Sequence, residues 1–132
     1  MNYKNLVGAA QKAKQNSHSP YSKFRVGAAL LTQSGNVYTG CNIESPSFSL
    51  TMCAERVALF KAVSESKKKF RALAIVSDSP DFISPCGACR QIILDLAGDI
   101  DVILTNKQGE LKIHKASMLL PIPFDDRLLR MR

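Results

Sequence analysis

Cys53, Glu55, Cys86 and Cys89 are the residues whose types and spacing can do chemistry. Cys86 and Cys89 stand as Cys-x-x-Cys, the usual spacing for two thiolates on one zinc ion. Alone, that pair also fits a thioredoxin-like redox couple or a structural zinc knuckle. Cys53 adds a third thiolate from another segment. Three protein ligands leave tetrahedral zinc one open position, the mark of a catalytic rather than a structural site. A closed structural site needs a fourth ligand, for which Cys41, His18 and His114 are the candidates. Cys41 sits at a strand end and reads more simply as a small buried residue. His114 reads as a surface residue beside an edge strand. Glu55 falls in a helix's first turn, where the dipole alone favours an acid. Beside three metal-spaced cysteines it reads instead as the general acid–base, able to take a proton from an activated water and pass it on.

Zinc at +2 with three thiolates at −3 leaves a site charge of −1, which opposes ionisation of that water. Something positive has to offset it. Two helix N-termini contribute, and Arg56 and Arg90 are adjacent in sequence. Arg56 is read as a donor to the thiolate sulfurs, reducing their negative charge.

The surrounding pattern supplies the elements that position these groups. Tyr3 to Asn16 reads as an amphipathic helix, broken by Ser17-His18-Ser19-Pro20. Arg25–Leu31 and Val37–Cys41 read as a hairpin around the turn 32–36. Asn42 to Leu50 is a loop, and Cys53 to Glu65 is a helix. Ala72–Val76 is a strand, followed by a Pro-punctuated loop to Pro85. Gly87–Ala97 is a helix that Gly98 stops. Asp101–Thr105 is a strand, Leu111–Ile113 an edge strand and Ala116–Leu120 a short helix; the tail 122–132 shows no clear pattern. Both chemical segments fall where a loop runs into a helix. Strands alternating with helices predict an α/β fold, a three-layer α/β/α sandwich on a mixed sheet of about five strands. The strand–helix–strand passages are expected to be right-handed crossovers with parallel pairing.

Composition bounds the rest. The chain has 132 residues, 45% hydrophobic and 22% charged, which predicts one globular domain over 1–132 and excludes collagen-like or mainly disordered classes. No apolar run approaches the ~18 residues of a membrane span. The start, Met1-Asn2-Tyr3-Lys4-Asn5, lacks an apolar signal core, so a cytoplasmic protein with reduced thiols is expected. The net charge of +7 permits an anionic partner, but the charge is spread. Its densest run, Lys67-Lys68-Lys69, reads as a solvated helix end.

Cys53-Ala54-Glu55 followed by Pro85-Cys86-Gly87-Ala88-Cys89 is the three-cysteine form of the zinc deaminase signature. With Pro20-Tyr21-Ser22-Lys23-Phe24-Arg25-Val26-Gly27-Ala28-Ala29-Leu30 and Gly40-Cys41-Asn42-Ile43-Glu44, the chain resembles the small, homotetrameric cytidine deaminases over nearly its whole length. The resemblance implies one Zn2+ per chain on Cys53, Cys86 and Cys89, with Glu55 as proton shuttle. It implies that Asn42 and Glu44 bond the sugar hydroxyls, that Phe24 packs against the pyrimidine, and that the Ala54 N–H holds the base. Phe124 matches an aromatic that reaches a neighbouring subunit's site. The implied reaction is hydrolytic deamination of cytidine and deoxycytidine in pyrimidine salvage, by a homotetramer acting on a nucleoside rather than on nucleic acid. Phe48 stands where relatives commonly carry Tyr, so a hydroxyl is lost, and Pro46 is unexpected in that loop. Ile122-Pro123-Phe124 replaces a common Gly-Ala-Phe pattern. The rival readings are a deaminase of another small molecule, such as blasticidin S, a nucleic-acid deaminase, and a non-catalytic zinc module. No long basic and aromatic surface segment favours a nucleic-acid strand.

Overall fold

The structure is a computed structural model and describes residues 2–130. Its elements in chain order are α1 (Lys4–Lys14), β1 (Val26–Thr32), β2 (Val37–Cys41), α2 (Ala54–Ser64), β3 (Phe70–Ser77), α3 (Gly87–Ala97), β4 (Asp101–Thr105), β5 (Leu111–Lys115), α4 (Ala116–Leu119) and α5 (Arg127–Arg130). The strands form one five-stranded mixed sheet in the order β2-β1-β3-β4-β5. The β3–β4 pair is parallel, and the other neighbours are antiparallel.

Alternation along the strands builds the three layers. Ala28, Leu30, Leu73, Ile75, Val102 and Leu104 face α2 and α3, which pack on that side with Ala58, Leu59, Ala62 and Ile93. Ala29, Ala72, Ala74, Val76 and Ile103 face α1, which buries Leu6, Val7 and Ala10 against them. The small residues let the helices approach closely. At Gly40 an added Cβ would lie 2.5 Å from the Ala54 carbonyl oxygen, and at Gly27 it would lie 2.1 Å from that of Ala10. The start of α2 therefore rests directly on β2.

Several expectations need correction. The passage from β2 through α2 does not lead to a neighbouring strand, because β1 lies between β2 and β3. The hairpin keeps β1 beside β2, and the free edge of β1 takes β3 antiparallel. Only the β3–α3–β4 passage joins adjacent parallel strands. β3 is longer than its apolar stretch, and β5 runs on to Lys115, which pairs with Asp101. Backbone ladders extend past the apolar residues that reveal them. The loop after β2 holds a 3-10 turn at Phe48–Leu50, and the tail a short helix at Arg127–Arg130. Residues 131 and 132 of that tail lie outside the described residues. Among the described residues no helix is long and apolar enough to cross a membrane.

Candidate active site

Two helix starts meet at one point. β2 and β3 run in the same direction, and α2 and α3 follow them onto the same face and pack together. Cys53 is the N-cap residue of α2 and Cys86 that of α3, both with extended backbone. Neither side chain caps its own helix. Cys89 lies one turn into α3. The three sulfurs lie within 4.8 Å of one another, and Cys53 Sγ is 4.0 Å from Cys86 Sγ. Thiolates held at about 2.3 Å around one tetrahedral ion would stand roughly 3.8 Å apart, so this spacing fits zinc. Among the described residues no fourth His, Cys, Asp or Glu joins the group. Cys41 stands apart from it, and His18 and His114 are exposed. All four cysteines are free thiols.

The electrostatics favour a cation. The Cys53 thiol is drawn down to about 5, first by the hydrogen bond from Cys89 and then by Arg56, whose Nη2 donates to Cys53 Sγ at 3.4 Å. Cys89 is pushed the other way, by its bond to Cys53 and by burial. One thiolate thus opposes the next, and three together require a positive charge among them. Arg56 stands where it can donate to Cys53 Sγ, and among the described residues its buried Nε has no partner. Glu55 is 5% exposed, and burial lifts its carboxyl to about 6, with the Cys53 charge adding to the rise. A carboxyl poised there can exchange a proton near neutral pH.

The segment that carries Asn42 and Glu44 is tied to the start of α2. Ile43 and Met52 exchange two backbone hydrogen bonds of 2.9 Å, which tie the Asn42–Glu44 segment to the residue before Cys53. Asn42 Oδ1 accepts from the Val26 N–H at 3.0 Å and from the Ser17 hydroxyl, while Nδ2 donates to the Phe24 carbonyl at 2.8 Å. Asn42 thus fixes the backbone on both sides of Arg25, including Phe24, and among the described residues its second amide hydrogen has no partner. Glu44 accepts from the Tyr21 and Ser22 N–H groups at 3.0 and 3.1 Å and from the Ser22 hydroxyl. These bonds, the Ser22 hydroxyl foremost, hold its pKa below the usual value. A cavity of about 440 Å³ opens between Tyr21, Ser22, Glu44, Ser45, Phe48 and Thr51. Phe48 is 79% exposed at its rim. Ala54 is fully buried as the first residue of α2, where its N–H has no intrahelical partner. Phe124 lies elsewhere. It is 57% exposed beside Leu94, Asp95 and Leu129, and its carbonyl accepts from Gln91 Nε2 at 2.9 Å. Sequence reasoning missed Ser17, Tyr21 and Ser22. Ser17 read only as part of a helix breaker, and Tyr21 and Ser22 only as part of the segment that carries the resemblance, with no role of their own.

The family profile described as "Cytidine and deoxycytidylate deaminase zinc-binding region" matches residues 1–105. The chain belongs to this deaminase family. It is 47% identical over 125 residues to a cytidine deaminase from Sporosarcina psychrophila, covering 94% of this chain and 92% of that protein. A cytidine deaminase from Halalkalibacterium halodurans is 47% identical over 120 residues, covering 90% of this chain and 91% of the relative. The crystal structure of cytidine deaminase from Burkholderia pseudomallei superposes with a TM-score of 0.90 at 43% identity, covering 94% of this chain and 100% of that one. The deaminase family match covers both helix starts, Cys53 and Cys86–Cys89 included.

Proposed function

We propose that the protein hydrolyses cytidine and deoxycytidine to uridine and deoxyuridine with release of ammonia, using one zinc ion per chain. The observation that carries this reading is a three-sulfur cluster that no fourth His, Cys, Asp or Glu joins among the described residues, with the buried Glu55 carboxyl two residues from one of its cysteines. The similarity to cytidine deaminases over more than nine-tenths of the chain supports the substrate. When bound on Cys53, Cys86 and Cys89, zinc supplies Lewis acidity that makes a water easier to deprotonate. Glu55 takes that proton and delivers it to N3 of the cytosine ring as the water oxygen bonds to C4. The proton left on the oxygen now bonded to C4 then passes through Glu55 to the exocyclic amine. The C4–N bond then breaks, ammonia leaves, and Glu55 returns to its carboxylate. The Ala54 N–H and Phe24 orient the base, and Asn42 and Glu44 bind the sugar, so remote binding energy aligns C4. Arg56 lowers the negative charge on the thiolates. Phe124 completes a neighbour's site in a homotetramer. The role is pyrimidine salvage in the cytoplasm.

Glu55→Gln tests this directly. The variant should bind zinc as the parent does and lose at least about 100-fold in kcat, the usual worth of a positioned acid–base group. Zinc analysis and loss of cytosine absorbance measure both. Substantial turnover by Glu55→Gln would exclude Glu55 as the shuttle. Blasticidin S in place of cytidine, or salt-sensitive binding of single-stranded nucleic acid, separates the rival substrates.

A further inference from the structure

Arg90 follows Cys89, the third proposed zinc ligand, by one residue, and its side chain bonds to three other groups. Its Nε–H donates to the Pro85 carbonyl at 2.8 Å, Nη1 to the Leu119 carbonyl at 2.8 Å and Nη2 to the Ser84 hydroxyl at 2.8 Å. Its backbone N–H closes the first turn of α3 on the Cys86 carbonyl at 2.9 Å. All three nitrogens of the guanidinium therefore donate, each to an uncharged oxygen, and no ion pair to Arg90 occurs among the described residues. Ser84 and Pro85 are the residues that deliver the chain to Cys86. Cys86 itself is exposed, and its side chain makes no capping bond to α3. Gln91, the next residue, holds the Phe124 carbonyl. Two neighbouring side chains of α3 thus fasten the C-terminal segment 119–124 to the helix that begins at Cys86.

We propose that Arg90 is the positioning residue of the metal centre. It clamps the Ser84–Pro85 backbone and the C-terminal segment in one arrangement, which fixes where Cys86 presents its sulfur. This rests on the zinc reading above. A fork of five fixed N–H donors can satisfy three oxygens at once, and a lysine ammonium at this distance reaches about one of them.

The test uses full-length zinc-loaded protein, the variants Arg90→Ala and Arg90→Lys, and zinc transfer to a chromogenic chelator. Loss of a group that orients a ligand typically costs 10–100-fold in metal affinity, so Arg90→Ala should release zinc about tenfold faster than the parent. Arg90→Lys should fall between. Thermal unfolding of loaded and stripped forms separates positioning from general stability. Zinc stabilises only the folded protein that holds it, so the gap between the two midpoints should shrink in Arg90→Ala. A merely structural role would lower both midpoints equally, and that result with release within twofold of the parent overturns the proposal. Should Arg90→Ala not fold, Arg90→Lys and Ser84→Ala are read by the same two measurements. A parent protein that takes up no zinc would instead overturn the zinc reading, and with it the clamp.

Discussion

Gly40→Ala is a one-carbon change at a residue with no proposed part in binding zinc or substrate, yet it should disable the site. The added Cβ would stand 2.5 Å from the Ala54 carbonyl oxygen, 2.6 Å from the Ala58 nitrogen and 3.0 Å from Val57 Cβ. Ordinary contacts begin near ~3.5 Å, so α2 must retreat from β2 by roughly 1 Å. Two of the obstructing atoms are backbone, and no rotamer change relieves them. The retreat carries Cys53 and Glu55, at the start of α2, away from Cys86 and Cys89 on α3. A misplacement of ~1 Å costs on the order of 100-fold in rate. Overpacking itself costs about 1–3 kcal/mol. At roughly 4 °C per kcal/mol for a domain of this size, Tm should fall by about 4–12 °C. The assay is kcat on cytidine together with a thermal melt. Gly8→Ala is the control, because Gly8 is exposed within α1 and an added Cβ there meets nothing within 4 Å. It should raise stability by up to about 1 kcal/mol and leave kcat unchanged. If Gly40→Ala keeps kcat within twofold and an unchanged Tm, the close approach of α2 to β2 does not set the site.

Two further predictions concern charge. Asp78 pairs with Lys14 and Arg25 at 3.0 Å each, and Arg25 foremost holds its carboxyl far below the usual range. A depressed carboxylate contributes stability above its unfolded pKa near ~3.9 and loses it as pH falls. Asp78→Asn should therefore cost about 1 kcal/mol at pH 7, since Arg25 is largely solvated, and the difference from the parent should shrink progressively as pH falls below ~4 in urea titrations. Arg56→Gln removes the donor to Cys53 Sγ. It should weaken zinc binding about 10-fold, read by chelator competition, and an unchanged affinity and rate would dismiss the charge-balancing role.

Two kinds of information in the sequence had different reach. Period-2 and period-3.6 patterns located every helix and strand that forms the three layers, and α3 and β4 match their predicted bounds. The cysteine spacing located the cluster because Cys86 and Cys89 are fixed by one helical turn, and Cys53 is the remaining thiol that starts a helix. Order within the sheet was not legible. The pattern of β2 says nothing of which strand lies beyond β1, so the β2–α2–β3 passage read as a neighbouring parallel pair. The network around Asn42 was equally hidden, since Ser17 and Phe24 lie 25 and 18 residues away and are neighbours only in the fold.

That network changes how Asn42 and Glu44 should be understood. Each was expected as a sugar ligand, and each spends most of its hydrogen-bonding capacity on the protein itself. The two roles are compatible and act in sequence. An amide that fixes Val26 and Phe24 has only one rotamer available, so its remaining donor points in one direction before any ligand arrives. A carboxylate held by two N–H groups stays ionised and immobile, and the entropy of ordering it is already spent when a hydroxyl reaches it. Substituting either residue should therefore disturb both the pose of Phe24 or the Tyr21–Ser22 turn and the sugar contact. Losses at these two positions should exceed the worth of one hydrogen bond to a hydroxyl, about 0.5–1.5 kcal/mol.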